Sequence, residues 1–396
     1  MRNFRIMADS KLDRRIKQMN IAIVTHVFTT GPAQEFERYF KDKFREMIFI
    51  GHPFSYCDDK GSFCKKYRNG KLINTKKAFG WKLPEVFVYA KDLAYSFFWV
   101  LFSKEAYDIY IGADCLNAFA GLMLKAVGKA KKVVFYTIDY VPLRFESRIL
   151  NKIYHLIEKI CCYHSDFVWI LSENMADARN RDGILKSRSA PQVIVPNGSN
   201  YDEIKRLPIS RINRHDVAFL GHLRQNQGIE KAISAFPRVL REVPMARLIV
   251  VGSGPVEKEL RKLAENLGLK DKIIFKGFIQ DHNELEKILA RCAISVAPYV
   301  PAKANFTYFT DPGKIKTYFA SGLPVVITDV PSIAKKIHEK RAGIMVGYNE
   351  SEMASALVKL LKDDLFYREC RRNAISMGYD SDWGRIFSKA LAETIT

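Results

Sequence analysis

Short β-branched runs alternate with amphipathic stretches from residue 19 onward, and that alternation confines the chain to folds built on βαβ units and parallel sheets. In the first half, Met19–Thr25, Met47–Ile50, Asp108–Ile111, Lys132–Tyr136, Phe167–Leu171 and Gln192–Val195 read as strands. Between them, Phe36, Phe40 and Phe44 recur every four residues, and Glu85–Phe102, Leu116–Val127 and Ser147–Cys162 also read as helices. Asn197-Gly198-Ser199-Asn200, followed by Leu207-Pro208, is turn chemistry. The alternation then restarts, with strands expected at His215–Leu220, Ala246–Val251, Lys272–Phe275, Ala293–Ala297, Pro324–Ile327 and Gly343–Val346. The expected class is α/β, with two doubly wound Rossmann-like parallel-sheet domains facing across a cleft. The expected division is a basic tail over 1–18, a first domain over 19–205, a second over 206–378, and a final helix over 379–396 crossing back to the first domain. A length of 396 residues suits two domains.

Composition narrows the class further. No segment reaches the ~18 consecutive apolar residues of a membrane-spanning helix. Residues 1–18 hold six basic and two acidic residues without the apolar core of a signal peptide. They read either as a basic tail or as sequence ahead of a start at Met19. Seven cysteines show no metal-site spacing, so reduced thiols in the cytoplasm are expected. The net charge of +20 is most concentrated over 60–82, where Lys60, Lys65, Lys66, Arg68, Lys71, Lys76, Lys77 and Lys82 interleave with Phe63, Tyr67, Phe79 and Trp81. That mixture suits an anionic membrane surface, peripheral on the inner face of the cell membrane, or a solvated loop. No nucleic-acid-binding module is visible, so no nucleic-acid partner is expected.

Ligands in doubly wound sheets sit beyond the carboxyl ends of the strands. In the second half four such loops suit an anion: Gly221-His222-Leu223-Arg224, Gly252-Ser253-Gly254-Pro255, Lys276-Gly277-Phe278-Ile279 and Asp311-Pro312-Gly313-Lys314. Lys314 in the first turn of a helix opposes the helix dipole, and a bound anion relieves the conflict. In the first half, Asp139 directly follows an apolar strand and is a candidate general base, with Arg144 as a partner for it or for a substrate acid. His26 is a second catalytic candidate. Asp114 and Glu173 also end or follow strands.

The order Gly221, Gly252-Ser253-Gly254-Pro255, Phe275-Lys276-Gly277-Phe278, Ser295-Val296-Ala297-Pro298 and FTDPGKIKTYFASGLPVVITD resembles the donor domain of GT-B glycosyltransferases, the retaining family four in particular. The likeness is strong over 215–360 and looser over 19–200. It implies a sugar nucleotide donor in the second domain, a UDP-sugar first and a GDP-sugar second, and a glycan or lipid-linked acceptor in the first. It implies cell-surface polysaccharide or glycolipid synthesis, with no cofactor and no obligatory metal. The nucleobase is then expected near Gly277 and Phe278. Gly221, His222, Arg224, Gly252, Gly254, Pro298, Asp311, Lys314 and Thr317 are expected around the ribose and diphosphate, and Gly31 near the phosphates. The sequence departs from the family where it has His222 for an arginine, Gln227 for a lysine, and Phe309 and Thr317 for a pair of glutamates. Those departures keep open a catalytically inactive scaffold or binding subunit.

Overall fold

The structure, a computed structural model, describes residues 12–27, 31–54, 57, 61–80, 84–140, 144–302 and 306–396. The chain divides into two compact units: one runs to Pro196 and includes Trp383–Thr396, the other is Asn197–Asp382.

The first unit is built on strands β1 (Asn20–Val27), β2 (Glu46–Pro53), β3 (Phe63–Arg68), β4 (Lys71–Lys77), β5 (Tyr107–Ala113), β6 (Ala130–Thr137), β7 (Phe167–Ile170) and β8 (Gln192–Ile194), in the order β4-β3-β2-β1-β5-β6-β7-β8. Every pairing is parallel except β2–β3 and β3–β4. Side chains alternate across a strand, and β1 uses both faces. Ala22 and Val24 join a core with helices α2 (Glu85–Leu101) and α3 (Cys115–Ala126). Elsewhere in this unit, Phe36 and Phe40 of α1 (Pro32–Phe40) meet Phe387 of the last helix, with ring centroids 5.1 and 6.3 Å apart. That last helix, Trp383–Ile395, is also tied to β7 by Trp169 Nε1 donating to Thr394 Oγ1 at 3.1 Å. Helix α4 (Arg148–His164) packs on α3, and α5 (Glu173–Arg181) follows β7.

The basic stretch over 60–82 is expected either to meet an anionic membrane surface or to be a solvated loop. Its described part is instead the β3–β4 hairpin. Asn69 and Gly70 turn it with φ of 46° and 80°, the left-handed pair that an Asn-Gly hairpin turn requires. Lys65 pairs with Glu37 at 3.1 Å, Lys66 with Glu46 at 2.7 Å and Glu105 at 2.8 Å, and Arg68 with both Glu46 and Glu105 at 3.0 Å. These three cations are matched within the unit, whereas β4, which carries Lys71, Lys76 and Lys77, is exposed along its length.

The second unit holds β9 (Asn213–Leu220), β10 (Arg247–Val251), β11 (Ile273–Gly277), β12 (Cys292–Ala297), β13 (Val325–Thr328) and β14 (Gly343–Val346), parallel throughout, in the order β11-β10-β9-β12-β13-β14. The strands are near-continuous apolar runs, as a sheet covered on both faces requires. Helices α6 (Ile229–Glu242), α7 (Glu257–Asn266) and α11 (Glu350–Lys362) serve one buried cluster. Helices α8 (His282–Arg291), α9 (Gly313–Ala320) and α10 (Ile333–Glu339) serve the other. Helix α12 (Asp364–Asp380) packs against α9 and α11. The α/β class with two parallel-dominated sheets is therefore as the sequence implied.

Candidate functional site

Strand order reverses in the second unit between β9 and β12. At such a reversal the loops leave the sheet in opposite directions and a crevice opens at the carboxyl ends. Gly221 leaves β9 there, and Pro298 and Tyr299 leave β12. Lys314, in the first turn of α9, reaches the same place. Its Nζ donates to Gln227 Oε1 at 2.7 Å and lies 4.6 and 4.5 Å from the ring centroids of Phe219 and Tyr299. Among the described residues no carboxylate pairs with it. Desolvation alone pulls its pKa from 10.5 down to about 7. A cation held over two rings without an anion is matched by a phosphate.

The glycine loops around it have a packing reason first. Gly252 has φ of 134°, and a Cβ there would stand 2.0 Å from the Gly221 carbonyl oxygen. A Cβ on Gly254 would stand 2.3 Å from the Leu223 carbonyl oxygen. The loops after β9, β10 and β11 lie backbone against backbone: Gly221 N–H donates to Val251 O at 3.0 Å, and Gly252 N–H to Gly277 O at 2.8 Å. His222 and Arg224 are exposed on the loop after β9. Phe278 is 73 % exposed just past β11. Pro298 is buried, with its carbonyl against Gly228. Thr317 lies one turn along α9 from Lys314, on the same face. Asp311, expected as a ligand residue, turns inward. Its Oδ1 accepts from Lys316 Nζ at 2.8 Å, both side chains are buried, and its carbonyl accepts from Asn197 Nδ2 at 2.6 Å. It braces the loop that presents Lys314.

The first unit has its own reversal, between β1 and β5. His26 near the end of β1 and Asp114 just after β5 meet there, His26 Nδ1 and Asp114 Oδ2 being 2.5 Å apart. Asp92 of α2 stands 3.5 Å from the other ring nitrogen of His26 and 3.4 Å from His52 Nδ1. His52 Nε2 is 2.8 Å from Ser96 Oγ. Burial works to lower the His26 pKa, but Asp114 and Asp92 overcome it and raise the value to about 9. The raised value favours the imidazolium form of His26 at neutral pH, which suits it to hold Asp114 and Asp92. His52, equally buried, is pushed down by desolvation and stays neutral. Asp114 has φ of 85° and ψ of 167°, a region essentially reserved for glycine, while its Oδ1 caps α3 by accepting from Asn117 N–H at 3.1 Å. Backbone strain and a buried charge pair coincide at the switch point.

Asp139 follows β6 and stands 3.6 Å from Arg144 Nη1. Desolvation raises its pKa, Arg144 opposes the rise, and Asp114 and Glu158 add to it. The side chain is 47 % exposed, so water tempers the shift and leaves the carboxylate open to a ligand. Gly31 starts α1, where its N–H donates to Gln34 Oε1 at 3.1 Å. Glu173 begins α5 and is exposed. Sequence reasoning missed Asp92 and His52. Both sit inside otherwise apolar patterns, at positions 92 of α2 and 52 of β2, and a charged residue on a buried helix face was the available signal.

Residues 214–363 match the family model described as Glycosyl transferases group 1. An uncharacterized glycosyltransferase of Methanocaldococcus jannaschii is 28 % identical over 172 residues, covering 43 % of this chain and 42 % of that protein. A GDP-mannose-dependent alpha-(1-6)-phosphatidylinositol monomannoside mannosyltransferase of Mycobacterium tuberculosis is 25 % identical over 197 residues, covering 46 % of this chain and 48 % of that one. The chain thus spans less than half the length of either relative. The crystal structure of Anabaena HepE in complex with UDP superposes with a TM-score of 0.67 at 15 % identity, covering 95 % of this chain and 99 % of that one. Over 95 % of its length the chain shares the two-domain GT-B fold of that structure, and residues 214–363 are similar to the glycosyl transferases group 1.

Proposed function

We propose that this protein transfers a sugar from a nucleoside diphosphate sugar, bound by the second unit, to a hydroxyl of a glycan or lipid-linked acceptor bound by the first. The carrying observation is Lys314: a desolvated ammonium with no carboxylate partner among the described residues, at the strand-order reversal of a unit that matches group 1 glycosyltransferases. Its charge and the first-turn N–H groups of α9 neutralise the diphosphate as the sugar–oxygen bond breaks. Thr317 offers the ribose one hydroxyl, and Phe278 a ring face for the base. Exposed Arg224 adds charge at the phosphates, and His222 a ring nitrogen for a hydrogen bond. A UDP-sugar is the first candidate donor and a GDP-sugar the second. Both chemistries occur among similar proteins: HepE was solved with UDP, and the Mycobacterium relative is GDP-mannose-dependent.

On the acceptor side, Asp139 is the open carboxylate that takes the hydroxyl's hydrogen bond and proton, with Arg144 fixing its orientation. His26, already protonated, holds Asp114 at the crevice. A lipid-linked acceptor of polysaccharide or glycolipid synthesis, met at the inner face of the cell membrane, fits the basic character of the chain.

Thermal unfolding with UDP and GDP tests the reading. A ligand at ~100 times its Kd adds about 2.7 kcal/mol, a shift of a few degrees. One of the two should stabilise the protein and Lys314→Ala should abolish the effect. If neither nucleotide moves the midpoint, the donor site is lost and the protein is a scaffold of the same fold.

A further inference from the structure

In a folded unit, the outer faces of surface helices are expected to be polar. Three neighbouring helices of the first unit break that rule. Helix α3 packs between α2 and α4. Phe98 and Phe102 of α2, Val127 just past α3, and Ile149, Ile153 and Leu156 of α4 are 48 to 76 % exposed. On α4 the three are spaced i, i+4, i+7, the stripe that normally faces a core. Beside α2 lies a groove of about 280 Å³ lined by Tyr95, Phe98, Trp99 and Phe102 with the exposed Lys76 and with Lys91, which pairs with Asp92 at 2.9 Å.

The exposed charges on these helices are cationic apart from Glu85 at the start of α2. Arg148, Lys152 and Lys159 lie on α4, whose one acid, Glu158, is buried against Arg179 at 2.8 Å. Helix α3 contains no acid, and the Asp92 carboxylate of α2 is buried. The exposed acids are Glu85, at the first residue of α2, and Glu146, just ahead of α4. Exposed apolar rows flanked by cations and nearly free of anions complement a bilayer that presents acyl chains beneath negative headgroups.

We infer that the outer face of α2, α3 and α4 docks on an anionic phospholipid bilayer, with the aromatic groove beside α2 taking an acyl chain. This relocates the membrane contact from the β3 cations, which are internally paired, to the helix layer. The inference rests on the proposed lipid-linked acceptor for its purpose only; the surface stands on exposure and charge.

The test is co-sedimentation of the full chain, without nucleotide or acceptor, with phosphatidylcholine vesicles and with vesicles containing phosphatidylglycerol, at low and high salt. Binding should appear with phosphatidylglycerol and fall with salt. Lys152→Gln with Lys159→Gln should weaken it about 30-fold, at roughly a decade and a half for two cations. Ile153→Asp with Leu156→Asp should abolish it, while far-ultraviolet circular dichroism and the unfolding midpoint stay those of the parent. Failure to bind phosphatidylglycerol vesicles overturns the inference, and so does full binding by both variants. A dimer that Ile153→Asp with Leu156→Asp dissolves, without vesicle binding, overturns it in favour of a second copy on this face. Nucleotide stabilisation is read separately, so losing one result leaves the other standing.

Discussion

Raising the pH from 7.0 to 8.5 should discharge Lys314 in the free protein and weaken nucleoside diphosphate binding about 16-fold. In the free protein, desolvation holds its pKa at about 7, against an ordinary 10.5. Beside two phosphates the ammonium regains its ordinary value or more. Binding at pH 7.0 then costs only the charging of half the molecules, and at pH 8.5 the charging of nearly all. The ratio of the two terms is about 16, or about 1.6 kcal/mol. The sign follows from the depressed lysine: between its folded and unfolded pKa values the free folded state binds fewer protons than the unfolded chain. Its own stability therefore rises with pH from about 7 toward 10.5, while the stabilisation conferred by nucleotide falls. Titration calorimetry in two buffers of different ionisation enthalpy measures both quantities. Proton uptake on binding should climb from about half a proton at pH 7.0 to nearly one at pH 8.5. An affinity flat within about twofold across that range, or an unchanged pH slope in Lys314→Met, refutes the reasoning.

Three further outcomes are expected. Gly252→Ala places a methyl 2.0 Å from the Gly221 carbonyl at φ of 134°, so it should lower the denaturant midpoint by the equivalent of about 2 kcal/mol or more and blunt nucleotide binding. His26, raised from 6.5 to about 9, contributes stability that is complete below pH 6.5 and lost as pH rises through 9. The gap between parent and His26→Gln in chemical denaturation should therefore be about 3 kcal/mol at pH 6 and close by pH 10. Arg179→Met leaves Glu158 buried without its 2.8 Å partner and should destabilise by about 3–5 kcal/mol, most of which Glu158→Leu in the same chain restores.

The α/β class was legible because β-branched runs and four-residue apolar spacings state their periods locally. The β3–β4 hairpin was not read, although Asn69-Gly70 announces it, because its strands are crowded with lysine and arginine and look like a solvated strip. Their partners Glu37, Glu46 and Glu105 lie 20 to 39 residues away in sequence, and no local pattern records such pairs. The same limit applies at the crevice of the first unit. His26 and Asp114 each stood out after a strand, but their contact spans 88 positions. That contact is what raises the His26 pKa to about 9 and favours its cationic form. Lys314 was the opposite case: its conflict with the helix dipole is local, so the sequence displayed it. Asp311 looked like part of the same motif, and only the packing of Lys316 beneath it shows the carboxylate turned inward.

The return of Trp383–Ile395 to the first unit has a consequence for synthesis. Phe387 fills the space over Phe36 and Trp169, and Thr394 accepts hydrogen bonds from Trp169 and, through its carbonyl, from Lys132. A ribosome delivers these partners only after the 186 residues of Asn197–Asp382 that follow Pro196. The unit encoded first is thus completed last, whereas Asn197–Asp382 is continuous and closes its core as it emerges. During that interval the first sheet waits with an aromatic gap on one face, and chaperones that shield exposed rings would meet the nascent chain there.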